Sequence, residues 1–530
     1  MSSHEQPPSG EACPPEPSGA QLRRDVSVWG SYMWGFADVG ADTYAALGLV
    51  IVAAQGAAGL AFALAGLVYI MIGLAYTELA SAYPVAGGGQ YFSLRGLGDF
   101  AGFIAGSALL LDYTIDIALF ALASAGYINF FFPALRANSV NLGPFHDVNV
   151  AWCAETIFLI GVLVLLNLRG MRESSLLNEV VGAIGIFIEC AIVILGFALA
   201  WKPELLAYQW QHEFPSLNRF MYGSSLAIIS FVGLESISQA AQETRRPATI
   251  VPRTSLTLIF TVFLFAVAFS NMSLGILPWK QFDGRVGDPV ALLAQNIPII
   301  GLVAGPLAAL LGAAILLISA NSGVMSASRL TYSMSRFSFI SRWFDVVHPR
   351  RRTPDRTILI FSGIAVVQTL AAFLFGKDKA MDILGNMYAF GATLGYMLVF
   401  IAMIRLRIID PYTPRPYRMP LNIPIRRKGV TYYFPVLGVI GFLGVSTILF
   451  EVIWTHQIGR IAGPGWVVLC FIYYAWYRRS QRLRVFRSCP HDWETQQKQV
   501  LESAEEFDLL EQYKLALAAR DRARSNNKEA

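Results

Sequence analysis

The sequence predicts an all-α polytopic membrane protein of about twelve transmembrane helices, and three observations carry that reading. Of its 530 residues 55% are hydrophobic and only 15% charged, with a mean hydropathy of +0.49, too apolar for a water-soluble chain of this size. Apolar runs of about 17–25 residues or more, the length a bilayer crossing needs, recur along the chain. Lysine and arginine are divided unevenly between the alternate loops that join those runs.

The runs cover residues 28–52, 57–80, 99–131, 151–168, 178–200, 218–241, 253–277, 300–331, 355–375, 381–405, 431–453 and 462–478, the two longest being tilted or extending beyond the bilayer. One set of loops collects Arg23, Arg24, Arg95, Arg169, Arg172, Arg245, Arg246, Arg253, Arg350–Arg352 and Arg426–Lys428. The other holds Arg136, Lys202, Arg219, Lys280, Arg285, Lys377, Lys379 and Arg460. The positive-inside rule then places both termini in the cytoplasm, and the protein is expected in the cell (inner) membrane. The net charge of +5 reads as topology signal and contact with anionic lipid, with no nucleic-acid partner.

Residues 1–27 are polar and rich in Pro, Ser and Glu, without the apolar stretch of a signal peptide, and are expected to form a disordered cytoplasmic arm. A transporter domain follows over 28–480, then a charged tail over 481–530. In the tail, Phe507, Leu509, Leu510, Tyr513, Leu515 and Leu517 fall close to helical spacing, predicting one amphipathic cytoplasmic helix, solvated or skimming the membrane. Cys13, Cys153, Cys190, Cys470 and Cys489 stand singly with no CxxC, so neither a disulfide framework nor a zinc site is expected.

Span 1 carries the most unusual stretch, GFADVGADTYAALG from Gly35 to Gly48, with Asp38 and Asp42 among four glycines. An ionisable group at the bilayer centre costs roughly 2.5–3.5 kcal/mol even on lenient scales, so two demand partners, water or a ligand. The glycines suggest a broken helix lining a cavity. Span 6, YGSSLAIISFVGLESISQAAQE, is interrupted by Ser230, Gly233 and Glu235. Paired interruptions half a chain apart point to an inverted repeat, spans 1–5 against 6–10, with two extra helices outside it.

Three motifs then give the chain a familiar outline: YTELASAYPVAGGGQYFSLRGLG (Tyr76–Gly98), SFVGLESISQAAQETRRPATIVPR (Ser230–Arg253) and SASRLTYSMSRFSFISRWFDVVHPRRRTPDRTI (Ser326–Ile358). Together they resemble the amino acid, polyamine and organocation permeases over roughly residues 28–480. The resemblance implies a five-plus-five inverted repeat whose unwound parts of spans 1 and 6 hold the substrate. In that family a G-S-G sequence in span 1 offers backbone amides to a carboxylate; the matching positions here are Gly40, Ala41 and Asp42, an acid replacing the last glycine. Glu78 belongs to the family's ELA motif and is expected to be structural, and the run Gly87–Gly89 is read as a flexible hinge in a cytoplasmic loop.

Asp42, followed by Thr43, suits the N-cap of an outer half-helix, or else it fills the anion site and turns the pocket towards a cation or amine. Asp38 lies one turn earlier, and Asp112 and Asp116 repeat that spacing in span 3. Acids so placed repel one another, and a shared proton relieves the repulsion, which suits proton or cation coupling by Asp38, Asp112, Asp116 and Glu235. Tyr44, Ser230, Phe231 and Gly233 flank the breaks and complete the expected substrate site with Asp116; the two rings are candidates to close over a cargo. Ser319, Asn321 and Ser322 in span 8 are weaker sodium-site candidates, and small polar residues also glue helices together. Some proton-coupled amino acid members of that family carry a lysine in span 5, whereas this span has Glu189 and no Lys or Arg from Val180 to Ala200.

No HExxH, GxxxxGK[ST] or GxSxG motif occurs, so an enzyme is not expected, nor a cofactor or a bound metal. The expected activity is proton-coupled secondary transport of amino acids or related amines by alternating access. A potassium or other monovalent-cation importer of the same superfamily is the alternative, with Na+ or K+ in place of H+, and a non-transporting membrane sensor the lesser one.

Overall fold

The computed structural model describes residues 28–529, apart from 138, 143, 170, 345, 347, 349–352, 377–378 and 428–429. The N-terminal arm and the Arg350–Arg352 run lie outside these described residues. The chain is helical and polytopic, as its composition requires. Among the described residues eleven stretches are long and apolar enough to cross a membrane. The first, Val28–Ala82, is made of two helices, α1 (Val28–Ala54) and α2 (Ala58–Ala82), joined by a 3₁₀ turn over Gln55–Ala57. At about 1.5 Å per residue each rises roughly 40 Å, more than a hydrocarbon core of about 30 Å.

A short α3 (Gly89–Leu97) leads into α4 (Asp99–Ile128), α5 (Pro133–Ala137) and a small antiparallel hairpin, β1 (Val140–Leu142) and β2 (Phe145–Val148). Next come α6 (Val150–Arg169), α7 (Met171–Leu199), α8 (Pro203–His212), α9 (Leu217–Ala227), α10 (Glu235–Gln239), α11 (Pro247–Ile276) and α12 (Pro289–Gln295). The second half continues with α13 (Gly301–Arg336), α14 (Asp355–Gly376) and α15 (Ala380–Ile409), then an antiparallel hairpin of β3 (Asn422–Arg427) and β4 (Val430–Pro435). It ends with α16 (Val436–Thr455), α17 (Gln457–Ser480), α18 (Trp493–Ser503) and α19 (Phe507–Glu529).

The break expected in span 6 is present. After α9 the chain tightens into a 3₁₀ turn, Ile228–Phe231, then extends at Val232 and turns at Gly233, whose φ of +111° lies in the region that favours glycine. The break expected in span 1 is absent: α1 is continuous through Gly40, Ala41 and Asp42. Each glycine costs a helix only about 1 kcal/mol relative to alanine, and α1 is packed by α9, α11 and α13 along a length buried almost throughout, so tertiary contact outweighs local propensity. Gly35 serves that packing, because a Cβ there would lie 2.5 Å from Leu258 Cδ2. Asp42 is therefore a mid-helix residue and not an N-cap.

Two other expectations are corrected. Gly87 and Gly88 form a packed turn with positive φ, held by a 3.0 Å bond from the Gly87 N–H to Gln239 Oε1, and not a free hinge. The tail forms two helices that pack on the transporter body, because its polar side chains find buried partners there. Gln497 on α18 accepts from Arg95 at 2.9 Å and donates to the carbonyl of Ala82 at 2.9 Å, Trp493 packs edge-on against Tyr91, and the N–H of Ala248 donates to Glu506. Cys153, Cys190 and Cys470 are free thiols.

In the interior α4 lies against both α13 and α15, and α2 packs on α11. Glu78, at the end of α2, is clamped by the guanidinium of Arg407 on α15, with Arg415 Nε 3.4 Å from its other flank and the Met419 N–H at 2.8 Å. That is a structural tie between two spans, as its motif implied.

Candidate functional site

Five carboxylates from three elements meet inside the helical body: Asp38 and Asp42 from α1, Asp112 and Asp116 from α4, and Glu235 at the start of α10, all 4% exposed or less. The i,i+4 spacing on α1 and α4 sets each pair on one helix face. Asp42 lies within electrostatic reach of the other four, and Asp112 sits beside Glu235. Residues 28–54, 99–128 and 220–244 contain no lysine or arginine, so the segments that build the cluster bring no base to it.

Hydrogen bonds fix part of this arrangement. Glu235 Oε2 accepts from the Gly233 N–H at 3.2 Å and from the Tyr396 hydroxyl of α15 at 2.7 Å. Ser319 Oγ on α13 donates to the Asp38 carbonyl at 3.2 Å and reaches Asp42 Oδ1 at 3.4 Å, while Ser236 and Ser322 flank the Asp38 carboxylate. Gly233 and Gly323 are where acids press into neighbouring backbone: a Cβ at Gly233 would stand 2.9 Å from Asp38 Cγ, and one at Gly323 2.3 Å from Asp116 Oδ2. Any side chain at either place displaces an acid.

Other polar atoms are left over. Asp42 Oδ2, Asp116 Oδ1 and Ser230 Oγ are buried and, among the described residues, have no hydrogen-bond partner. An unsatisfied buried polar atom costs roughly 1–3 kcal/mol, more if charged, so the two that α1 and α4 contribute, on Asp42 and Asp116, mark a place suited to a hydrogen-bond donor from outside the chain.

The structure brings together Asp38, Asp42, Asp112, Asp116, Gly233, Glu235, Ser319 and Ser322. It assigns other candidates elsewhere. Asn321 turns to α6, where its Oδ1 accepts from Asn167 at 2.6 Å; it lies two residues from Ser319, on a different helix face, so the three span 8 residues do not converge on one point. Phe231 stacks on Tyr69 of α2 with centroids 5.1 Å apart, and Tyr44 packs between Tyr127 and Phe269 while its carbonyl accepts from the Tyr127 hydroxyl, so both rings are committed to packing. Gly40 and Ala41 are buried helix positions on α1, with their amides inside a continuous helix. Glu189 is buried on α7 beside Tyr44.

Sequence reasoning missed Tyr396, Ser236 and Tyr388, the last lying within electrostatic reach of all four aspartates. Only Ser236 had a signal, its adjacency to Glu235. Tyrosines in an apolar helix look like packing until the opposite wall is known.

A helical body that spans the membrane, one helix interrupted against a cluster of facing acids, and unsatisfied polar atoms around that break define a membrane transport protein. Residues 27–476 match the family model of amino acid permeases, and the chain belongs to that family. It is 25% identical over 383 residues to a branched-chain amino acid permease of Bacillus subtilis, covering 71% of this chain and 78% of that one. A methylthioribose transporter of the same organism is 24% identical over 67% of this chain and 75% of its own. The vacuolar cationic amino acid transporter 4 of Arabidopsis thaliana is 26% identical over 62% and 54% respectively.

Proposed function

We propose that the protein is a secondary active transporter that carries an amino acid or related organic amine by alternating access, with protons as the coupling ion. The observation that carries this reading is the pair of unsatisfied atoms, Asp42 Oδ2 and Asp116 Oδ1, among acids that no base of the same segments neutralises. An ammonium group supplies three donors and a positive charge, which is what such a set lacks. Helices α1, α2, α9–α10 and α11 move as one body against α4, α13 and α15, and Glu235 lies on the seam between them, held by Tyr396 from the far side. Asp38, Asp112, Asp116 and Glu235 then exchange protons as the cluster opens to each side. The side that carries Arg95, Arg407, Arg415 and Arg478 faces the cytoplasm, and the protein resides in the cell membrane.

A bare potassium ion is the second reading, supported by the same acids. Uptake by proteoliposomes under an imposed proton gradient tests the proposal. Amino acids or amines are expected to accumulate, with Asp116→Asn lowering uptake at least tenfold. Potassium-driven uptake that neutral, cationic and polyamine substrates leave unchanged overturns it.

A further inference from the structure

Beyond transport, the arginine-rich side carries a small cleft between the end of α15 and the β3–β4 hairpin, lined by Arg407, Pro411, Arg415, Arg418 and residues 431–433. Its charge is unbalanced. Arg407 and Arg415 share one carboxylate, that of Glu78, and their remaining N–H groups go to uncharged acceptors: the Tyr433 carbonyl at 2.9 Å for Arg407, and the Asp410 and Leu406 carbonyls, both at 3.1 Å, for Arg415. The Asp410 carboxylate is taken by Arg95 at 2.9 Å. Arg418 is exposed and, among the described residues, has no carboxylate partner; it lies over the Tyr433 ring at 4.6 Å. Asp410 also acts on Arg415, so with Arg95 counted four guanidiniums face two carboxylates and leave a net charge of +2 around the cleft.

Ile408 and Ile409 end α15 with exposed side chains, and Leu421, Ile423 and Ile425 are exposed along the hairpin, with Ile423 and Ile425 on one strand face. A basic cleft at the end of a membrane span, on elements that also expose aliphatic groups, matches a phosphodiester headgroup whose acyl chains lie along the protein, and suits a free anion poorly, since that gains nothing from those groups.

We propose that this cleft binds the phosphate of an anionic phospholipid, with Arg418 as the residue that engages it and Arg407 and Arg415 as the charged floor. The lipid would sit directly on the Glu78–Arg407 tie between α2 and α15.

The test uses the purified full-length protein in a neutral detergent, its melting temperature followed against dioctanoyl phosphatidylglycerol, dioctanoyl phosphatidylcholine and inorganic phosphate at equal concentrations. A ligand of the native state raises the melting temperature in a saturable way. Phosphatidylglycerol is expected to do so and the other two not. Arg418→Gln should raise the half-saturating concentration about tenfold, the loss expected for one charge-assisted contact, while Arg479→Gln, an exposed charge on α17, leaves it unchanged. An equal response to inorganic phosphate overturns the lipid assignment. Unchanged binding by Arg418→Gln, or an equal loss in Arg479→Gln, overturns the site.

Discussion

The hydroxyl of Tyr396 donates a 2.7 Å hydrogen bond to Oε2 of Glu235, so the residue that restarts the helix after the break is tied to the opposite wall of the acid cluster. The same oxygen accepts from the N–H of Gly233, the residue that makes the turn. Cluster, break and facing helix thus share one oxygen, and any motion that separates α10 from α15 must release it.

Hydrogen bonds to charged groups contribute about 1.5–3 kcal/mol, roughly 10–100-fold in an equilibrium. Tyr396→Phe removes the bond that this motion must break, so it is expected to speed substrate uptake by about tenfold and to lower the melting temperature slightly. Glu235→Gln keeps an acceptor for Tyr396 and for Gly233 but removes the exchangeable charge, and should abolish the response to a proton gradient more completely than it lowers substrate binding. Uptake of both variants in proteoliposomes, beside substrate-induced melting shifts, separates the two effects. A Glu235→Gln protein with full proton dependence would remove Glu235 from the coupling mechanism.

Gly233 is constrained twice, by a φ of +111° and by the Asp38 carboxylate against its missing side chain. Non-glycine residues held in such backbone regions cost on the order of 1–3 kcal/mol. Gly233→Ala should lower the melting temperature by several degrees. Adding Asp38→Ala makes room for the new methyl but does not relieve the backbone, so the double variant is expected to recover part of the loss and no more. Full recovery would mean that only the contact mattered.

The acids stood out in the sequence because charge in an apolar run has no cheap explanation, and Asp38, Asp42, Asp112, Asp116 and Glu235 do gather at one place. Glycine was a weaker guide: it marked the true break at Gly233, where φ requires it, and suggested a false one at Gly40, where packing of α1 overrides a small local preference. Tyr396 was illegible, since a tyrosine announces its hydrogen bond only once α10 and α15 are adjacent. The docked tail was equally hidden, because its ties join residues as distant as Arg95 and Gln497.

At the junction of α16 and α17, burial pushes the His456 imidazole down to about 3, and the neutral ring bonds Ser225 Oγ at 3.1 Å and packs on Tyr222 with centroids 4.1 Å apart. Its ordinary value is about 6.5, so between that pH and 3 the unfolded chain binds a proton that the folded one refuses. Stability is then full above about 6.5 and falls as pH drops below it, by about 1.4 kcal/mol per pH unit for this single group. Melting curves at pH 7.5 and 5.5 should show the wild type losing stability more steeply than His456→Gln. Parallel curves would show that His456 is not buried in its neutral form.

The tail gives the last prediction, because its removal uncovers charges that the body has buried. Asp99, at the start of α4, accepts from Arg478 at 3.1 Å and from the Cys489 N–H at 3.0 Å, with His491 Nε2 at 3.2 Å; Arg95 gives one guanidinium nitrogen to Gln497. Truncation after Gln481 keeps Arg478 but deletes the other three partners. Breaking a buried polar network by removing one side leaves the rest desolvated without compensation, so the truncated protein should melt several degrees lower. None of the deleted groups touches the acid cluster, so substrate uptake per folded molecule should be nearly unchanged. Uptake normalised to the folded fraction, measured beside melting temperature, checks both halves. A truncated protein as stable as the whole chain would show that the tail adds nothing to the body, and one that is stable but inactive would show that its contacts act on the transport cycle itself.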